Sequence, residues 1–204
     1  QSVRDFDIEL RSLVNVRGRV VDFKTGHPIE NATVRLRPQP NFEQLADEWT
    51  GETKHGGRFE IRQVPSGPFS FDVEERGASH YRSIRSGWAE APTAPEIDLG
   101  DIKLVPFRGG DAIVGVFGFY VRSTPKDAAE LRALIVDRVD SGGPADLSGL
   151  MIGDIVIRVD NEDVTGSNRY LFWPLLDGPP GTARTLTLGG GRTITITANA
   201  PAGD

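Results

Sequence analysis

Few stretches of this chain bring together the residue types that chemistry requires. Asp140-Ser141-Gly142-Gly143-Pro144 sets a serine beside an acid and two glycines. A serine nucleophile also needs a hydrogen-bonded base and an acid that orients the base. The three histidines, His27, His55 and His80, all lie in the first half of the chain, so Ser141 reads as part of a strand-to-helix turn. Asp160-Asn161-Glu162-Asp163 has the acidic density of a calcium loop. An EF-hand, however, places Gly at its sixth position and a bidentate Glu at its twelfth, where this chain has Thr165 and Leu171. Those residues read as a hairpin turn. Gly189-Gly190-Gly191 lacks the Lys-Ser/Thr that completes a phosphate-binding loop and reads as another turn. With no HExxH pattern either, neither a metal site nor a cofactor is expected. Val116-Phe117-Gly118-Phe119 differs in kind, because successive backbone N–H groups in a glycine-containing turn form a nest for an anion. The chemistry to expect is recognition through the backbone, and no enzyme activity is expected.

The elements that would position this nest must come from 204 residues with 23 Lys and Arg against 29 Asp and Glu, a net charge of −6. A nucleic-acid partner needs clustered positive charge and is not expected. No apolar run approaches the roughly 20 residues that span a bilayer. There is no cysteine, hence no disulfide frame or thiolate site. The chain opens on Gln1 and its one methionine is Met151, so a processed or cut chain with possible domains upstream is expected. Lack of cysteine suits a periplasmic, cell-surface or secreted location, which is the expectation here. The 24 glycines and 14 prolines imply frequent turns and short strands.

Patterning divides the chain. From Val14 to about Pro106 only strands are legible: 14–21, 33–37, 58–61, 69–73 and 97–105, separated by turns such as Lys24-Thr25-Gly26-His27-Pro28. Asn41 to Trp49 reads as a polar excursion. Residues 108–111 form the expected linker between a first domain, 1–107, and a second, 112–204. In the second, Thr124-Pro125-Lys126-Asp127 reads as a helix start, 134–139 and 155–159 as strands, and Pro144 to Ser148 as one helical turn. Ser167 is placed as the cap of a short helix through Trp173. Thr185 to Leu188 and Thr193 to Thr197 form a hairpin.

Val16-Arg17-Gly18-Arg19-Val20-Val21-Asp22, Gly26-His27-Pro28-Ile29-Glu30-Asn31-Ala32-Thr33-Val34, Val64-Pro65-Ser66-Gly67-Pro68-Phe69 and Asp98-Leu99-Gly100-Asp101-Ile102 together resemble a carboxypeptidase regulatory-like domain. That resemblance implies a transthyretin-like β-sandwich without a catalytic site. Val116-Phe117-Gly118-Phe119, Gly143-Pro144-Ala145, Ser148-Gly149-Leu150, Gly153-Asp154-Ile155-Val156 and Gly181-Thr182 resemble a PDZ domain, a small β-barrel or sandwich with two short helices. The expected fold is therefore mainly β, a sandwich followed by a PDZ domain, an arrangement that resembles bacterial envelope or secreted multidomain proteins. Two departures are Pro174 inside the groove helix and a long excursion from Ser123 to Leu131.

The second resemblance implies a site. The Phe117, Gly118 and Phe119 amides, after Val116, would hold a peptide's terminal carboxylate, and the peptide would add as a strand beside Phe119, Tyr120, Val121 and Arg122. Phe117, Phe119 and Val121 would line the terminal-residue pocket from the strand, Phe172 and Leu175 from the helix. Asn168 stands where many members carry a His that reads Ser or Thr, so that selection is not expected, while Val, Leu, Ile or Phe is expected at the terminus. The expected function is non-catalytic binding of a protein C-terminus or extended peptide. The alternatives are a regulatory tail of a secreted or envelope peptidase whose catalytic domain lies upstream, or a structural stalk.

Overall fold

The structure is a computed structural model that describes residues 12–38, 49–67, 69–76, 81–85, 95–106, 115–123 and 133–201. The expected helix start at Thr124, most of the excursions at 41–49 and 123–131, and the linker 108–111 lie outside these. Contacts divide the chain into two units, 1–77 with 85–103, and 78–84 with 104–204.

The first unit is built from strands whose apolar residues recur every second position. Its three-stranded sheet runs in the order β4 (Arg58–Pro65), β1 (Leu13–Asp22), β7 (Glu96–Leu104). A four-stranded sheet runs β3 (Trp49–Glu52), β2 (Ala32–Pro38), β5 (Phe69–Glu75), β6 (Ile84–Arg85). Val14 and Val16 of β1, Val34 and Leu36 of β2, Phe59 and Ile61 of β4, and Ile97 and Ile102 of β7 are buried. This alternation lets each sheet keep one apolar face and one charged face. On the charged face Arg19 Nη2 pairs with Asp101 Oδ2 at 2.7 Å and Arg17 Nε with Asp98 Oδ2 at 3.1 Å. The pairing of β1 with β4 shifts between Val14 and Val16, where Gln63 adopts φ +58°; a bulge absorbs the extra residue and keeps the apolar faces in phase.

In the second unit the strands run β13 (Thr193–Thr197), β12 (Ala183–Leu188), β10 (Ile155–Val159), β9 (Leu134–Val139), β8 (Phe119–Ser123), with β11 (Glu162–Asp163) also pairing β10. Asp160-Asn161 is the hairpin turn between β10 and β11, with Arg158 opposite Asp163. Two short helices, α1 (Pro144–Leu147) and α2 (Phe172–Leu176), complete it, the second preceded by a 3-10 helix at Gly166–Leu171. Val136, Val156, Val159, Phe172, Leu186, Leu188 and Ile196 form its core.

Pro174 lies buried within α2, just after the helical stretch passes from 3-10 to α at Phe172, and supplies no N–H to that stretch. The helical stretch starts earlier than the sequence suggests, since its N-cap is Thr165 and not Ser167.

Candidate functional site

The Val116–Phe119 loop is held by its carbonyls. Val116 exchanges both backbone bonds with Asn199, at 2.9 and 3.0 Å. The Phe117 carbonyl accepts from the Ala145 N–H at 3.0 Å and the Gly118 carbonyl from the Asp140 N–H at 2.8 Å. The N–H groups of Phe117 and Gly118 meet no acceptor among the described residues. Gly118 has φ +75°, the left-handed region that turns successive amides toward one side. A Cβ at that position would lie 3.2 Å from Pro144 Cδ, so glycine also lets the loop sit close against the turn into α1. Asp140 to Gly143 is that turn. The Gly143 N–H donates to the Asp140 carbonyl at 2.9 Å and the Gly142 N–H to Asp146 Oδ2 at 2.8 Å.

Among the described residues β8 ends its sheet, with β9 as its one partner there. Phe119 lies opposite Val139, and the Asp140-to-Gly118 bond just beyond marks that pair as widely spaced. The N–H and C=O of Phe119 therefore point away from β9. Past the register shift between Tyr120 and Val121, Val121 lies opposite Val136, whose own N–H and C=O are engaged by Asp154 and Gly153. Val121 thus also turns its backbone groups to the outer edge, while those of Tyr120 and Arg122 face β9.

The side chains alternate accordingly. Phe119 is buried, Val121 half-buried, and Tyr120 and Arg122 exposed. Arg138 of β9 stacks its guanidinium 3.6 Å from the centre of the Tyr120 ring, a cation–π pair on the outer face. On the core side the Phe119 and Phe172 rings meet edge to face, with centroids 6.1 Å apart at 77°. Phe172 also meets Trp173 at 4.9 Å. Leu175 is half-buried, Val116 is exposed and Phe117 is buried. Asn168 lies in the 3-10 helix four residues before Phe172. The structure thus brings Phe117, Phe119, Val121 and Phe172 to the strand and helix that flank one edge.

Two positioning groups have no signature in sequence. Asp177 caps the end of α2, and Arg82, in the 78–84 segment that belongs to this unit, pairs with it through Nη1 to Oδ2 at 2.8 Å. Arg184 donates from Nη2 to the Asp177 carbonyl at 2.8 Å and from Nε to the Leu176 carbonyl at 3.3 Å. Cations at these last carbonyls favour the helix C-terminus. Arg82 and Asp177 are 95 residues apart in sequence, beyond the reach of any spacing rule.

At the other end of the helical stretch, Asp163 Oδ1 accepts from the Thr165 hydroxyl at 2.6 Å and the Thr165 N–H at 2.7 Å. The hydroxyl bond first, then the amide bond and the nearby Arg158 charge, hold the Asp163 carboxyl below its ordinary range. A lowered folded value means stability that is complete above the ordinary carboxylate range of about 4 and is lost as pH falls through the lower folded value. Thermal melts of wild type and Asp163→Asn should therefore differ at neutral pH and converge in acid. Because the group is exposed, the difference should be no more than about 1 kcal/mol.

Among the described residues no group of three or more His, Asp or Glu is placed to hold a metal ion. Nor is any helix among them long and apolar enough to cross a membrane. Ser141 lies in the second unit, His27 and His55 in the first, and His80 is outside the described residues.

This architecture defines a mainly β protein, a sandwich joined to a sheet whose edge strand follows a glycine loop. Residues 15–99 match the family model of the carboxypeptidase regulatory-like domain, and residues 110–169 that of the PDZ domain. The chain carries these two domains in that order. No curated protein sequence matches it. Among solved structures it is similar to a photosystem II D1 C-terminal processing protease, at 24% identity and TM-score 0.39 over 48% of this chain and 26% of that one. It is also similar to the pilus 2b backbone protein of group B streptococcus, at 13% identity and TM-score 0.32 over 48% of this chain and 43% of that one. The HtrA-type protease AlgW with decapeptide matches at 14% identity and TM-score 0.37 over 78% of this chain and 74% of that one. The chain thus spans about a quarter of the first of these and under half of the second.

Proposed function

We propose that this chain binds a protein C-terminus or an extended peptide by strand addition along β8, without catalysis. The observation that carries the reading is the backbone of Phe117 to Val121. The loop carbonyls are engaged inward, and the Phe117, Gly118, Phe119 and Val121 amides are left for a ligand. A terminal carboxylate would accept from the loop amides, and the peptide would pair with Phe119 and Val121. The first domain acts as a spacer or docking surface. The PDZ match supports a peptide as the ligand class.

Amide hydrogen exchange on the full chain tests this reading residue by residue. In the free chain the Phe119 and Val121 amides should exchange fast, while Tyr120 and Arg122, paired with β9, should be protected. A bound peptide should slow exchange at Phe119 and Val121 and leave the other two unchanged. Protection that appears elsewhere, with β8 untouched, would contradict strand addition at this edge.

A further inference from the structure

We infer that the site accepts chains ending in a small residue, such as Gly, Ala or Ser, and turns away Leu and Phe. The inference rests on the strand-addition reading and narrows its ligand class. It differs from the expectation of Val, Leu, Ile or Phe at the terminus.

The aromatic side chains that would line that pocket are buried: Phe172 exposes 0% of its surface, Phe119 4% and Phe117 8%, while Val121 and Leu175 are half-buried. Water thus reaches the expected lining at Val121 and Leu175 and little of the three phenylalanines. The cause is visible in the rings. Phe119 on β8 and Phe172 on α2 stand edge to face, with centroids 6.1 Å apart, within the contact range of aromatic pairs. A third large side chain could enter between strand and helix only by separating them. The Phe172 ring also meets the half-exposed Trp173 at 4.9 Å, and the end of α2 is tied by Arg82 and Arg184. The helix is thus poorly placed to swing away. Backbone capture remains possible, because the loop amides and the β8 edge do not depend on this space. A methyl or hydroxymethyl group would then rest near the half-buried Val121 and Leu175.

The test uses the full chain and a library of decapeptides displayed with free C-termini. The best body sequence is then synthesised with Gly, Ala, Ser, Leu or Phe at its end and titrated by fluorescence anisotropy. Small-ended peptides should bind at least tenfold more tightly than those ending in Leu or Phe. Phe172→Leu, which removes part of the ring while keeping an apolar filling, should narrow or reverse that order. Leu- or Phe-ended peptides that bind wild type as tightly as Ala-ended ones would overturn the size limit and leave strand addition standing. A library that yields no binder would overturn both. The wild-type series is decisive even if the variant is poorly folded.

Discussion

Gly57→Ala is expected to cost the first unit about 2–5 kcal/mol, while Gly56→Ala, one residue away, should cost about 1–2 kcal/mol. Both glycines precede β4 in the left-handed region, with φ +72° at Gly56 and +70° at Gly57. Both variants therefore carry the left-handed penalty of an L residue. They differ in what a methyl group would meet. Nothing lies within 4 Å of a Cβ at Gly56. At Gly57 it would fall 2.3 Å from the Val20 carbonyl oxygen, 3.1 Å from Pro28 Cβ and 3.2 Å from the Ile29 nitrogen. The Val20 carbonyl is already engaged by the Ile29 N–H at 2.9 Å. It cannot retreat without loosening the join between β1 and the chain leading to β2. Urea melts of the two variants beside wild type measure the difference. Equal losses would mean that the close approach at Gly57 is absent.

Phe172→Ala is expected to destabilise the second unit by about 3–5 kcal/mol. Phe172 is among the largest fully buried side chains of the chain, and its ring bridges strand and helix through Phe119 and Trp173. Removing it leaves a cavity whose walls are held apart, so the loss should lie near the full transfer and cavity cost. A denaturation midpoint that barely moves would show that α2 collapses onto β8. That outcome would also undo the argument that the two rings exclude a large terminal residue.

Much of the fold is legible in the sequence because alternation is legible. β1, β2, β4, β5 and the longer strands of the second unit, β8, β9, β10, β12 and β13, carry apolar residues every second position beside glycine or proline turns. β3 is not legible. Trp49-Thr50-Gly51-Glu52 has no apolar alternation, being an edge strand that is half-buried at most. Its one telling residue is Gly51, where a Cβ would lie 2.7 Å from Ile61 Cγ1, a close approach that only the fold creates. β6, at two residues, is too short to carry a period.

The candidate site divides the same way. The loop, the edge strand and the helix that faces it follow from local motifs. What the sequence withholds is three-dimensional. Whether Phe119 and Phe172 face each other across a space or fill it depends on a few ångströms of strand-to-helix distance. The Arg82 brace depends on a segment 95 residues from its partner. The helical stretch is capped at Thr165 and not Ser167, with the Thr165 hydroxyl and N–H held by Asp163, contacts that a capping rule applied to Ser167 alone does not register.

The central claim is that the Phe117, Gly118 and Phe119 amides capture a carboxylate, and the most direct measurement changes only that carboxylate. One library-selected decapeptide, made as the free acid and as the C-terminal amide, is titrated into the full chain at the same pH and salt. Charge-assisted hydrogen bonds contribute roughly 1.5–3 kcal/mol and overlap when several meet one group. With about 1.4 kcal/mol to each power of ten, amidation should weaken binding by about ten- to a hundredfold. The free acid itself should bind on the order of 1–100 μM, since ordering a short peptide costs entropy. Equal affinities for the two forms would contradict carboxylate capture by this loop.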